Sequence, residues 1–178
     1  MKKLMIAAAI VCAAAFAQAA SFDWAAKYIG DDEDYYSGVL GRIFTTSDVT
    51  VEALTAELAA GNFDSWSAKG MVQKTTNANG TVAASDYSGS KDAGTYDFYA
   101  VFLDAATTGD ATKFFITPST LTKALVDGAG NETLVNFGDL ESASAAGWQT
   151  IGSSVPEPTS GLLMLLGVAG LALRRKRA

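Results

Sequence analysis

One segment near the middle of the chain limits the fold more than any other. From residue 95 to 104, large apolar side chains occupy both sets of alternate positions. The first set is Tyr96, Phe98, Ala100 and Phe102, and the second is Tyr99, Val101 and Leu103. Because successive side chains of a strand point to opposite faces, the pattern predicts a central strand that is covered on both faces. Residues 113–117 are its predicted hairpin partner, across a turn at residues 107–110.

The composition around this strand is typical of short strands joined by turns. Gly, Asp, Asn, Ser and Thr separate short aromatic and β-branched runs, and Pro118 is the only proline between residues 20 and 154. Such a pattern predicts a mainly β fold. We expect a single β-sandwich-like domain with one short helix. An N-terminal signal-peptide helix and a C-terminal hydrophobic helix are expected to flank it.

The short helix is predicted at about residues 48–60. Two leucines lie one turn apart there, and the glutamates fall on the opposite side. Ser47 or Asp48 is the expected N-cap, and Gly61 stands where a left-handed C-cap belongs. A second helical turn is predicted at residues 119–126.

The first 19 residues have the three parts of a secretory signal peptide. Two lysines precede an apolar stretch at residues 4–16, and Ala17 and Ala19 form the small-x-small pattern that a signal peptidase needs. We therefore predict export, with cleavage after Ala19. Cys12 is the only cysteine and lies in this segment. The mature protein is thus expected to have no disulfide and no thiolate metal ligand.

The last 24 residues also have three parts. The first is a break formed by Val155, Pro156, Glu157 and Pro158. Residues 161–173 are apolar and uncharged, and as a helix they would span about 20 Å, against the roughly 30 Å hydrocarbon core of a bilayer. The third part is a basic stop formed by Arg174, Arg175, Lys176 and Arg177. Its positive charges are expected on the cytoplasmic side.

This tail resembles the PEP-CTERM sorting signal of Gram-negative, exopolysaccharide-producing bacteria. The resemblance covers residues 155–178 and implies processing by an exosortase-type membrane protease, with cleavage near residues 156–158. It further implies that the C-terminal transmembrane helix holds the protein briefly in the inner membrane, before release to the cell surface or extracellular matrix. The expected organisation is a signal peptide at 1–19, an extracellular β-rich domain at 20–154 and a sorting tail at 155–178. Signal peptidase and an exosortase are the expected processing partners.

Charge and composition narrow the function. Between residues 20 and 155 there are seven basic and 18 acidic residues, a net charge of −11, which would repel nucleic acid. The sequence has no histidine, the usual general base near neutral pH and the most frequent zinc ligand. We therefore predict a protein with no enzymatic activity, no catalytic residues and no cofactor. An alternative is a small glycoside hydrolase, since that chemistry requires only two carboxylates.

Two adjacent patterns could bind ligands. The first is the acidic run Asp31, Asp32, Glu33 and Asp34, whose oxygens are of the kind that calcium prefers. The second is Tyr35 and Tyr36, whose rings could stack on sugars. A solvated loop and ordinary core packing are the competing interpretations. The leading hypothesis is a structural or adhesive component of an exopolysaccharide or biofilm matrix. The alternative is a carbohydrate- or calcium-binding extracellular module.

Overall fold

The structure is a computed structural model that describes residues 19–31, 34–85, 89–128 and 132–152. These ranges contain nine strands and three helices. The strands are β1 (Ala20–Lys27), β2 (Leu40–Thr45), β3 (Gln73–Thr75), β4 (Gly89–Lys91), β5 (Gly94–Leu103), β6 (Lys113–Ile116), β7 (Leu121–Leu125), β8 (Thr133–Asp139) and β9 (Gln149–Thr150). The helices are α1 (Val51–Ala59), α2 (Asp64–Lys69) and α3 (Glu141–Gly147). The prediction of a mainly β fold is confirmed.

The strands form a small and a large sheet. The small sheet has the order β4-β1-β8, in which β1 and β8 are parallel. The large sheet has the order β3-β2-β5-β6-β9, and β7 also pairs with β5. The predicted hairpin is confirmed, because β5 and β6 are antiparallel with Val101 opposite Ile116 and Leu103 opposite Phe114.

Strand β5 is covered on both faces, as its sequence predicts. One face contributes Phe98, Ala100 and Phe102 to a core shared with Trp24 of β1 and Val135 of β8, in the small sheet. The other face contributes Tyr99, Val101 and Leu103 to a second core, shared with Leu54 and Leu58 of α1 and Trp66 of α2. The large sheet is therefore the middle layer, between the small sheet and two helices.

The segment predicted as a helical turn at residues 119–126 is instead strand β7. It continues the line of β6 along the same edge of β5, with Gly94 opposite Leu125 and Phe98 opposite Leu121. Thr117 bridges the interruption between the two strands: its N–H donates to the carbonyl of Ala100, and its hydroxyl accepts from the N–H of Ala100. Long-range pairing with β5 thus overrides the local helical pattern.

Helix α1 lies within the predicted range, but its N-cap differs. The hydroxyl of Thr50 accepts from the N–H of Ala53 at 3.2 Å, so Thr50 is the cap and the prediction of Ser47 or Asp48 is wrong. Asp48 instead accepts hydrogen bonds from Thr45 and Lys91. Gly61 has the expected left-handed backbone, with φ of 75°.

The prediction of a single short helix is also wrong, because α2 and α3 were not foreseen. They have six and seven residues, too few to show a clear 3.6-residue periodicity. The predicted signal-peptide and C-terminal hydrophobic helices lie outside the described residues. Within the described ranges, none of the helices combines the length and apolarity needed to cross a membrane.

Candidate ligand cleft

A cleft of about 170 Å³ opens between the loop that follows β1 and helix α3. We call it the tyrosine cleft. Its lining includes Tyr28, Asp31, Asp34, Tyr35, Glu141 and Ser144. The cleft thus joins the acidic run and one of the two tyrosines singled out in the sequence with a helix more than 100 residues away.

The loop that forms one wall is shaped by its backbone. Tyr28 has a φ of 62°, and is the one non-glycine residue among those described with a left-handed backbone. Two residues later, a side chain at Gly30 would overlap the carbonyl of Asp34. Glycine is therefore required where the loop closes on itself, with the N–H of Asp31 donating to the same carbonyl at 3.1 Å.

Helix α3 and the residue after it hold this loop from inside the protein. Trp148 donates from Nε1 to the carbonyl of Gly30 at 2.6 Å. The hydroxyl of Ser144, which is buried, accepts from the N–H of Gly30 at 3.2 Å. Both backbone groups of Gly30 are thus bonded to side chains from the other wall.

Tyr35 presents its ring at the cleft. Its side chain is 41% exposed, and its ring centroid lies 5.5 Å from that of Tyr28, with 36° between the planes. Its hydroxyl donates to Oε1 of Glu141 at 2.7 Å. This hydrogen bond, which requires the protonated phenol, raises the pKa of Tyr35 above its ordinary value of 10.0. The ring is therefore fixed in orientation and open to solvent.

Tyr36 is placed differently from its neighbour. Its ring packs edge-on against Trp148 at 5.0 Å, and its hydroxyl donates to Oδ2 of Asp31 at 2.8 Å. Burial, and then the hydrogen bond to Asp31, raise the pKa of Tyr36 to about 12. The two tyrosines that the sequence groups together thus have separate positions, and Tyr35 is the one that lines the cleft.

The acidic run is only partly described. Asp31 and Asp34 line the cleft, whereas residues 32 and 33 lie outside the described ranges. Within those ranges, no group of three or more His, Cys, Asp or Glu side chains is placed to hold a metal ion. Calcium binding by the full run, Asp31 to Asp34, stays a prediction.

The cleft does not indicate how the protein is sorted, but the tail does. Residues 154–177 match the family model of the PEP-CTERM protein-sorting motif. The resemblance stated for residues 155–178 is thereby confirmed, and it covers the C-terminal tail alone. No curated protein and no solved structure matches the chain.

The PEP-CTERM motif implies an exported protein that is anchored in the membrane during sorting and processed by an exosortase. The motif residues Val155 to Pro158, the basic stop Arg174 to Arg177 and the signal-peptide residue Ala17 lie outside the described ranges. Ala19 is described and exposed, directly before β1. The β-rich part, which contains the cleft, precedes the matched residues.

The wall of the cleft that helix α3 forms was not predicted from the sequence. Glu141, Ser144 and Trp148 are brought to the acidic loop by the fold, across 106 to 118 residues of chain. Trp148 was the one residue whose type indicated a contact with another segment, because an indole inside a protein usually needs a hydrogen-bond acceptor. The sequence does not show which acceptor it uses.

Proposed function

We propose that this chain is a non-enzymatic adhesive protein of the cell surface or extracellular matrix, and that it holds polysaccharide in the tyrosine cleft. Export and sorting through the PEP-CTERM tail would bring it to that location. The observation that carries the proposal is the exposed ring of Tyr35, fixed beside the carboxylates of the cleft.

The chemistry of the cleft suits a sugar ring. The C–H face of a pyranose packs on an aromatic ring, and its hydroxyls donate to nearby carboxylates. Tyr35 offers the ring, while Asp34 and Glu141, which line the same cleft, offer acceptor oxygens. Because the Tyr35 ring is held by Tyr28 and Glu141 before any ligand arrives, little conformational entropy would be lost on binding.

Charge narrows the class of polysaccharide. The lining includes Asp31, Asp34 and Glu141, and no Lys or Arg is among the described residues that form it. The chain between residues 20 and 155 also carries a net charge of −11. Such a surface repels polyanions, so neutral polysaccharides are the proposed ligands.

Two contacts favour binding over catalysis. Glu141 accepts a hydrogen bond from the phenol of Tyr35, and Asp31 accepts one from the phenol of Tyr36. Each carboxylate therefore already orients a neighbouring aromatic ring, which is a structural task. We accordingly propose no catalytic residue in the cleft.

The test is a glycan array probed with the purified exported protein, in calcium and again in a chelator. We expect binding to neutral oligosaccharides in both conditions, and about tenfold weaker binding by Tyr35→Ala, which corresponds to about 1.4 kcal/mol of stacking energy. Val126→Ala is the matched control, because Val126 is 53% exposed and does not line the cleft. Failure to bind any glycan, or unchanged binding by Tyr35→Ala, would overturn the proposal.

A further inference from the structure

A lysine and a buried aspartate form an ion pair away from the tyrosine cleft. Asp23 lies on β1 of the small sheet and is 2% exposed. Lys74 lies on β3 of the large sheet, and its side chain is 10% exposed. The amine of Lys74 bonds to Oδ1 of Asp23, so the pair connects the two sheets across 51 residues of chain.

The amine is held in place by backbone oxygens. Besides Asp23, Nζ of Lys74 donates to the carbonyl of Trp24 at 3.2 Å and to that of Ala83 at 3.3 Å. The strand pairing of Lys74 with Gly41 fixes the position of its backbone. The nitrogen therefore stays beside the carboxyl group of Asp23 and does not turn to solvent.

The carboxyl group is held by backbone donors. The N–H of Trp24 donates to Oδ1 of Asp23 at 2.8 Å, and the N–H of Ser85 donates to Oδ2. Backbone donors on both oxygens would also stabilise the negative oxygen of a tetrahedral intermediate formed at the carboxyl carbon. The surroundings of Asp23 are thus suited to acyl chemistry as well as to an ion pair.

We propose that Lys74 and Asp23 condense spontaneously in the folded protein to form an isopeptide bond. A proton first passes from the Lys74 ammonium to the Asp23 carboxylate, which removes two charges from a site where burial disfavours both. The neutral amine then attacks the carboxyl carbon, and the new C–N bond forms. One carboxyl C–O bond breaks, and that oxygen leaves as water with the acid proton and one amine proton. Amine and acid become amide and water, so the step needs no oxidant and no co-reactant.

Two further observations support the reaction. Folding holds the two groups in contact, and such proximity replaces a bimolecular encounter with an intramolecular one. The chain also has no cysteine between residues 20 and 155, so no disulfide can link the two sheets of this exported protein. An isopeptide bond would supply a covalent link between β1 and β3 that does not depend on redox conditions.

A second ion pair provides the matched control. Lys91 bonds to Asp48 at 2.7 Å, but these side chains are 19% and 30% exposed. Water reaches this pair, and there the charged forms remain solvated. We expect no condensation between Lys91 and Asp48.

The experiment is intact-mass spectrometry of the purified full-length or processed protein under denaturing conditions. We expect a mass about 18 Da below that of the sequence, the loss of one water. Lys74→Arg should restore the full mass, whereas Lys91→Arg should keep the deficit. Asp23→Asn has no carboxylate to take the proton of the Lys74 ammonium and should also keep the full mass of its own sequence. Tandem spectra of the digest should contain one branched peptide joining Asp23 to Lys74.

Folding is checked separately, so that a misfolded variant cannot decide the result. Protein that has been kept unfolded in denaturant since its synthesis should have the full mass. It should lose one water only after it is refolded, and circular dichroism shows when refolding is complete. A folded wild-type protein that retains its full mass would show an ordinary ion pair and overturn the proposal. A deficit that persists in folded Lys74→Arg would do the same, since it would place the dehydration elsewhere.

Discussion

The hydroxyl of Tyr35 donates to Oε1 of Glu141 at 2.7 Å and so joins a loop to a helix 106 residues further along the chain. Beneath this bond, Trp148 and Ser144 hold the two backbone polar groups of Gly30. The two walls of the tyrosine cleft are therefore connected both at the surface and inside the protein. It follows that the shape of the cleft depends on helix α3 as much as on the acidic loop.

Ser144→Ala should destabilise the protein and weaken ligand binding together. The substitution leaves the buried N–H of Gly30 without its acceptor, which costs about 1–3 kcal/mol. Ser142→Ala is the matched control on the same helix, because Ser142 is exposed and its loss should change stability by less than about 0.5 kcal/mol. Urea unfolding measures the free energy of unfolding of both variants. Equal stability of the two would show that the hydroxyl of Ser144 does not support the loop.

Phe102→Ala should be among the most destabilising core substitutions. Phe102 is fully buried on β5, and its ring lies 5.8 Å from Trp24 and 6.2 Å from Phe115. Truncation leaves a cavity between the two sheets, at a cost of about 3–5 kcal/mol. The control Leu134→Ala removes a side chain that is 42% exposed and should cost far less. A small loss in Phe102→Ala, measured by urea unfolding, would contradict the packing of the sheets on β5.

Tyr36 should make the protein sensitive to alkali. Its pKa is raised from 10.0 to about 12 in the folded state, so the neutral phenol stabilises the fold fully below pH 10. As the pH rises from 10 towards 12, unfolded chains ionise first and stability falls. Unfolding midpoints measured at successive pH values should therefore decline more steeply for the wild type than for Tyr36→Phe. Burial also raises the pKa of Tyr99, so a residual decline should persist in the variant. Identical slopes would refute the environment described for Tyr36.

The PEP-CTERM tail should control processing. In a host that contains an exosortase, replacing both Pro156 and Pro158 with alanine should leave an uncleaved form in the inner membrane, because the recognised motif is lost. Ser153→Ala is the control, because residue 153 precedes the matched residues 154–177, and this variant should be processed normally. Immunoblots of membrane and extracellular fractions measure the outcome. Normal release of the double variant would show that sorting does not use this motif.

The fold was predictable where a pattern is both local and strong. The two apolar faces of residues 95–104 required layers on both sides of β5, and the structure has them. Helix α1 was foreseen from its periodicity and from Gly61. The error at residues 119–126 has a physical cause, because partners on β5, distant in sequence, fix that segment as a strand.

The cleft was predictable only in part. Asp31, Asp34 and Tyr35 stand out in the sequence because they are adjacent to one another and of a suitable chemical type. Glu141 and Ser144 do not, since helix α3 is short and its small residues show no chemical pattern. A single sequence cannot show that these two segments meet. The contact depends on the parallel pairing of β1 with β8, which brings the start of α3 next to the end of β1.

The central claim, that the tyrosine cleft binds polysaccharide, is tested most directly by mapping the binding site. We would record amide NMR spectra of the isotope-labelled exported protein while titrating in a neutral oligosaccharide selected from the array. The account predicts shifts concentrated at Tyr28, Asp34, Tyr35 and residues 141–145, and their loss in Tyr35→Ala. Shifts confined to another surface, such as that around Val126 and Leu134, would contradict it.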